Sequence, residues 1–331
     1  MIKVRGGVLL RETTLTFHNA FLIYNPLAGG LSGKRASRLD QVLDHLRQDG
    51  HSVTALPTSH AGHAGELAAG SVSRGADLVI VAGGDGTINE AVNGMVGAPV
   101  PLAVLPAGTA NVLATEIGLG PGMLRAARQL KFLRPVRIAA GCLTCASRKP
   151  RHFLMMAGFG LDAGIVAAVQ PGNKKRLGKI AYWLAGFSQV GRRLPQMLVR
   201  TEGKELRTGF ALASRVRNYG GDLEIARTAS LLSAEFELIA FEGETTLAYI
   251  KYLFGVLAGG LARMSGVTVL KTRHAEFLPL GGSTIRAQID GEEAGEIPAR
   301  VEIVPGALTL LVPESLALKY GLARLPELAR S

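Results

Sequence analysis

A chain of 331 residues can bury a large core and carries a soft expectation of two domains. Its 47% hydrophobic content suits a globular protein, and a formal charge of +11 points to an anionic partner such as a nucleotide, a nucleic acid or an acidic lipid surface. Aromatic content of 5%, with no zinc-finger spacing and no RNA-stacking platform, argues against nucleic acid, and no apolar run approaches the roughly 20 residues that span a bilayer.

Residues 1–18 place Lys3, Arg5, Arg11 and Glu12 around the short patch Val8-Leu9-Leu10, too brief for a secretory core. They are expected to form a poorly ordered leader on a cytoplasmic protein. Apolar strands then alternate with amphipathic helices. Phe21-Leu22-Ile23-Tyr24 precedes a helix with Leu39, Val42, Leu43 and Leu46 on one face. Strands at 53–56, 78–82 and 102–105 follow, separated by helical stretches at 64–72 and after Glu90. This order predicts a doubly wound α/β nucleotide-binding domain over 19–147, with ligands at the carboxyl ends of its parallel strands. The loops 25–30, 58–65, 83–90 and 106–111 all lie at such ends and are expected to converge. Cys142 and Cys145 form a lone C-x-x-C without a second pair to complete a zinc site, and read as reduced structural thiols.

After residue 148 the pattern changes to spaced strands at 153–157, 197–200, 210–213, 236–241, 267–270, 285–289, 301–304 and 308–312. Such spacing predicts a β-sandwich domain over 148–312. Two helical stretches interrupt it, 179–193 and 249–264, each apolar on one side and basic at an end. They read as packing helices, with a membrane-surface contact as the alternative. The segment 313–331, with Leu316, Leu318, Leu322, Leu325 and Leu328, reads as a helix returning to the first domain.

The stretch Gly83-Gly84-Asp85-Gly86-Thr87-Ile88-Asn89-Glu90 leaves one strand and opens a helix. Glycines without Cβ atoms let the backbone approach a polyphosphate, and free N–H groups at the helix start face the anion. A carboxylate beside phosphates is repelled unless a divalent cation lies between them, so Asp85 suggests Mg²⁺ shared with a nucleotide; a helix-capping acid in a tight turn is the plainer alternative. Neither standard nucleotide signature fits. Ala28 and Arg35 spoil a P-loop around Gly33-Lys34, and Asn89 replaces the last glycine of the dinucleotide fingerprint.

These residues, with Asn93-Gly94 and Leu105-Pro106-Ala107-Gly108-Thr109-Ala110-Asn111, resemble the diacylglycerol kinase catalytic domain of bacterial lipid kinases and sphingosine kinases, and more distantly the NAD kinases. Asn25-Pro26, Gly158-Phe159-Gly160-Leu161-Asp162-Ala163, Asn218-Tyr219-Gly220-Gly221 and Asp290-Gly291-Glu292 agree in order and spacing, so the match covers roughly residues 20 to 313. The resemblance implies an α/β nucleotide domain followed by a β-rich domain, with ATP and a lipid hydroxyl meeting between them. It places Asn25, Pro26, Thr58, Gly83, Gly84, Asp85, Gly86, Thr87, Ile88, Asn89, Glu90, Gly108 and Thr109 at the ATP site, with Asn89 and Glu90 bracing the loop. It makes Glu292 the general base, in competition with Asp85, which is also the candidate ligand of the nucleotide's Mg²⁺. The plainer reading of Asp290-Gly291-Glu292 is a hairpin turn.

Two positions depart from the family. The acid expected to hold a structural Mg²⁺ after the Gly-Gly segment is replaced by Leu232 or Ser233 in Ala229-Ser230-Leu231-Leu232-Ser233-Ala234-Glu235, and Val112 stands where many members carry Asp. The resemblance implies a magnesium-dependent transferase of phospholipid metabolism acting on diacylglycerol, phosphatidylglycerol, a sphingoid base or a polyketide-like alcohol. An NAD kinase-like enzyme and a non-catalytic nucleotide- or lipid-binding protein are the alternatives. Relatives often form homodimers, and peripheral contact with an anionic inner membrane face is compatible with the charge.

Overall fold

A computed structural model of the chain describes residues 15–31, 37–146, 148–160, 194–219, 224–245, 251–252, 255–256 and 259–319. The leader up to residue 14, the stretch 179–193, Leu161-Asp162-Ala163, Gly220-Gly221, much of 249–264 and residues 320–331 lie outside the described residues.

The first half runs β1 (Ala20–Tyr24), α1 (Ser37–Gln48), β2 (Val53–Pro57), α2 (His63–Ser73), β3 (Leu78–Gly83), α3 (Asp85–Met95), β4 (Pro101–Pro106), α4 (Val112–Glu116), α5 (Met123–Gln129) and the long β5 (Leu133–Cys145). Strands β2, β1, β3 and β4 pair in that order, all parallel. Every residue of β3 and β4 is buried, as expected for parallel strands covered on both faces. Leu22, Ile23, Leu78 and Ile80 are fully buried, each worth roughly 1.5–3 kcal/mol relative to exposure.

The second half contains β6 (Arg151–Phe153), β7 (Met156–Gly160), β8 (Met197–Arg200), β9 (Glu205–Thr208), β10 (Phe210–Ser214), β11 (Phe236–Phe241), β12 (Val267–Thr272), β13 (His274–Pro279), β14 (Arg286–Ile289), β15 (Glu292–Glu296), β16 (Ala299–Pro313) and α6 (Glu314–Lys319). Strands β12-β11-β10-β7-β14-β15 form a six-stranded antiparallel sheet. It packs on the β16-β13-β8-β9 part of a ten-stranded sheet, with Phe153, Phe159, Phe236 and Phe277 buried between them. The Phe159 and Phe277 rings stack across that interface.

The expected strands at 301–304 and 308–312 are one strand, β16, with a register irregularity between Val304 and Leu308. It pairs antiparallel with β5 from Ala299↔Cys145 to Pro313↔Leu133, and parallel with β4 through Thr309↔Pro101 and Leu310↔Leu102. The ten-stranded sheet thus runs through both halves. The expected strand at 153–157 is broken into β6 and β7, because the N–H groups of Leu154, Met155 and Met156 turn to the Asp290 carboxylate. The described turns of the last segment are α6, where Arg134 of β5 and Glu314 form an ion pair at 3.6 Å.

Candidate active site

The glycine-rich stretch is mostly helix. Helix α3 begins at Asp85, directly after the extended Gly84, so Asp85 to Glu90 occupy its first turns. The first N–H groups of a helix have no intrahelical acceptor, and Gly84 has no side chain to cap them. Such a terminus, here beside the carboxyl end of β3, is suited to an anion. Gly83 makes room for Thr87: a Cβ there would lie 2.7 Å from the Thr87 side chain. A Cβ on Gly108 would lie 2.5 Å from Gly84 Cα, so the turns after β3 and β4 meet backbone to backbone and floor the site without side chains.

Three loops are tied to that floor. Ala107 donates its N–H to Gly83 O at 3.0 Å, and Gly30 donates to Ala107 O at 2.8 Å. Asn25 N–H bonds to Ala82 O at 3.1 Å, and its side-chain oxygen accepts from Leu27 N–H at 2.9 Å. Pro26 follows as an exposed residue of that turn. Thr58 N–H donates to Tyr24 O at 2.9 Å, bringing the loop after β2 alongside. In that loop the His60 and His63 rings stack, with Ser59 Oγ within 3.0 Å of both Nδ1 atoms; this histidine pair was not singled out by sequence. Gly108 and Asn111 bond reciprocally, while Thr109 at the tip is exposed.

Asp85 faces this loop. Its two carboxylate oxygens accept the N–H groups of Val112 and Leu113, capping α4 at 3.2 and 3.3 Å. Burial raises its pKa, and those bonds oppose the rise. A carboxylate has about four acceptor sites, so any left by these backbone groups could meet a metal ion or its water. Among the described residues no group of three or more His, Cys, Asp or Glu side chains forms a metal cage. A nucleotide-borne Mg²⁺ needs only one or two protein carboxylates, and Asp85 fits that need.

Asn89 and Glu90 do not brace the phosphate turn. Each side chain is instead engaged by a partner from another element. Ile88, just before them, is core. Glu90 accepts the Ala64 N–H at the start of α2, at 3.3 Å. Asn89 reaches the second half, donating to Asp290 at 2.9 Å and to His152 O at 3.1 Å. One turn on, Asn93 exchanges bonds with the His152 backbone.

Asp290 is buried and accepts four N–H groups, from Leu154, Met155, Met156 and Asn89. Burial nonetheless pushes its pKa up to about 6. With φ values of 48° and 85°, Asp290 and Gly291 make the tight turn between β14 and β15, so the hairpin reading holds. The hairpin delivers Glu292 to the start of α3: a Cβ on Gly86 would collide with Glu292 Oε1. Glu292 is half-exposed and pairs with Arg151 at 3.6 Å, a partner that β6 supplies and the sequence did not single out. No described helix is long and apolar enough to cross a membrane.

The family model of the diacylglycerol kinase catalytic domain matches residues 19–141, and that of the YegS C-terminal NAD kinase beta sandwich-like domain matches residues 156–312. A diacylglycerol kinase of Bacillus subtilis (strain 168) is 28% identical over 289 residues, covering 84% of this chain and 91% of that protein. A Chromohalobacter salexigens protein named "Probable lipid kinase YegS-like" is 29% identical over 302 residues, covering 87% and 93%. A crystal structure of a diacylglycerol kinase from Bacillus anthracis (strain Sterne) superposes with a TM-score of 0.70 over 91% of this chain and 98% of that one, at 20% identity, a likeness of fold. With a kinase domain and a sandwich-like domain matched in tandem, the chain belongs to the diacylglycerol kinase catalytic domain family.

Proposed function

We propose that the protein is an ATP-dependent kinase that phosphorylates a hydroxyl of a lipid, diacylglycerol-like or sphingoid-like. The observation that carries this reading is the placement of the Glu292 carboxylate against Gly86, in the first turn of the helix whose uncapped N–H groups suit phosphate. A nucleotide on that terminus and an acceptor hydroxyl at Glu292 would meet there. ATP supplies the phosphoryl group and its Mg²⁺ offsets the charge that develops during transfer.

Glu292 is the better base of the two candidates. It is half-exposed and, among the described residues, held only by the Arg151 ion pair, so a carboxylate oxygen can take a proton from an alcohol, whereas Asp85 is committed to the N–H groups of α4. Asp85 then shapes the floor and offers its remaining lone pairs to Mg²⁺, while the backbone of Gly84 to Thr87 and the loops at Asn25, Thr58 and Gly108-Thr109 orient the nucleotide. The lipid acceptor is supported by the named relatives and by the net charge of +11, which favours an anionic membrane surface.

The test is to incubate the protein with γ-labelled ATP, Mg²⁺ and total bacterial lipids, beside Glu292→Gln and Asp85→Asn. Label in the organic phase is expected, falling roughly 10²–10⁴-fold in Glu292→Gln. Label on NAD in a parallel reaction supplied with NAD, with none in the lipids, would move the acceptor to a soluble dinucleotide. Undiminished turnover in Glu292→Gln would remove Glu292 from the chemistry.

A further inference from the structure

Outside the cleft, the most unusual polar group is Arg215, at the end of β10. Its side chain is fully buried, with 0% exposure. One Nη donates to Ala139 O of β5, and the other to Leu231 O at 2.6 Å and Ser233 O at 3.1 Å. Nε has no partner among the described residues. Burial draws the pKa down to about 10, so the group stays protonated at neutral pH, and the negative charge of Asp290 supports it.

Three carbonyl oxygens turned on one buried point are the donor set that hard cations use. A divalent ion, however, does not fit here. Leu232 and Ser233 provide no carboxylate, and Ser230 Oγ is occupied by the Leu232 N–H at 3.2 Å. Glu235 turns away to Arg273, at 4.0 Å. The centre of the oxygen cluster is filled by the guanidinium.

We propose that Arg215 is a built-in cation, which orders the loop 226–235 through its carbonyls and makes that order independent of bound metal. The effect reaches the cleft. The backbone N–H of Arg215, held in place by its buried side chain, donates to Met155 O at 2.7 Å, and Met155 N–H donates to Asp290 at 3.0 Å, at the turn that carries Glu292. Arg215 is therefore a positioning residue, acting through the Asp290 hairpin. The inference stands apart from the phosphoryl-transfer reading, because its test reads unfolding rather than turnover.

Thermal unfolding is followed without nucleotide, in excess EDTA and in millimolar Mg²⁺. The unaltered protein is expected to melt at one temperature in both. Arg215→Met should fall by roughly 5 to 15 °C in both, since it strands the carbonyls of Ala139, Leu231 and Ser233. Arg215→Gly combined with Leu232→Asp opens the cluster and restores a carboxylate, and should regain several degrees on addition of Mg²⁺. A midpoint of the unaltered protein that drops on chelation would overturn the proposal. So would an Arg215→Met variant as stable as the parent, or a double variant indifferent to Mg²⁺. Should Arg215→Met fail to fold, chelation of the unaltered protein and the double variant still decide.

Discussion

At the scale of single residues, Gly86 separates stability from activity. Alanine in place of glycine within a helix gains up to about 1 kcal/mol, and Gly86 has no left-handed backbone to forbid it. The added methyl would nevertheless push Glu292 off its position. Gly86→Ala should therefore unfold at an unchanged or slightly higher temperature, while kcat falls roughly tenfold to a hundredfold. Calorimetry beside a turnover assay checks both halves. Asp290 yields a pH prediction. Its native pKa of about 6 lies above the ordinary value of 3.8, so the native state holds a proton that the unfolded chain releases. The associated stability is complete below about pH 4 and is lost as pH rises through 6, a change of up to roughly 3 kcal/mol. Asp290→Asn should flatten that part of the stability profile measured by urea unfolding.

At the scale of elements, α2 and α3 cross where two glycines meet. A Cβ on Gly94 would run into the backbone oxygen of Gly65, and one on Gly65 would lie 2.9 Å from Glu90 O. Backbone cannot swing aside, so Gly94→Ala should lose about 1–3 kcal/mol to overpacking, more than the helix propensity it gains. Gly70, in α2 with nothing within 4 Å of its would-be Cβ, is the control: Gly70→Ala should stabilise by up to about 1 kcal/mol. Chemical denaturation of the two variants gives opposite signs if the crossing is as tight as described.

The same elements explain what could be read in advance. The run Leu78 to Ala82 followed by glycines announces a buried strand and a tight turn into a helix, because both signals are local. Strand β5 is less legible: Arg134, Pro135, Arg137 and Gly141 interrupt its pattern, and its extended form is fixed by β16, more than 150 residues away. Asn89 appeared as part of a loop because its real partner, Asp290, is 201 positions distant. Arg215 sits in Ala213-Ser214-Arg215-Val216, where nothing local distinguishes a core cation from a surface one; its three acceptors come from two other segments. The hairpin reading of Asp290-Gly291 and the site reading of Glu292 proved compatible, since the turn is what presents the carboxylate.

For the whole molecule, the two halves are fastened at several points. Asn89, Asn93 and Asp290 join α3 to β6 and to the β14–β15 turn. On the other side Glu116, buried at the end of α4 with its pKa raised by burial, accepts the Arg217 N–H at 3.2 Å. Strands β5 and β16 run unbroken beside both fastenings. Wide rotation of one half against the other would break these bonds.

The path of β16 also bears on how the protein is made. Strand β4 sits at the bare edge of the nucleotide-domain sheet until Thr309 and Leu310, far downstream in the chain, arrive to pair with it. An early-emerging domain thus waits, with a fully apolar edge strand uncovered, until residues 309 and 310 have been synthesised. During translation that edge is a natural client for a holding chaperone, and a nonsense codon anywhere before residue 309 would leave the aggregation-prone edge permanently open.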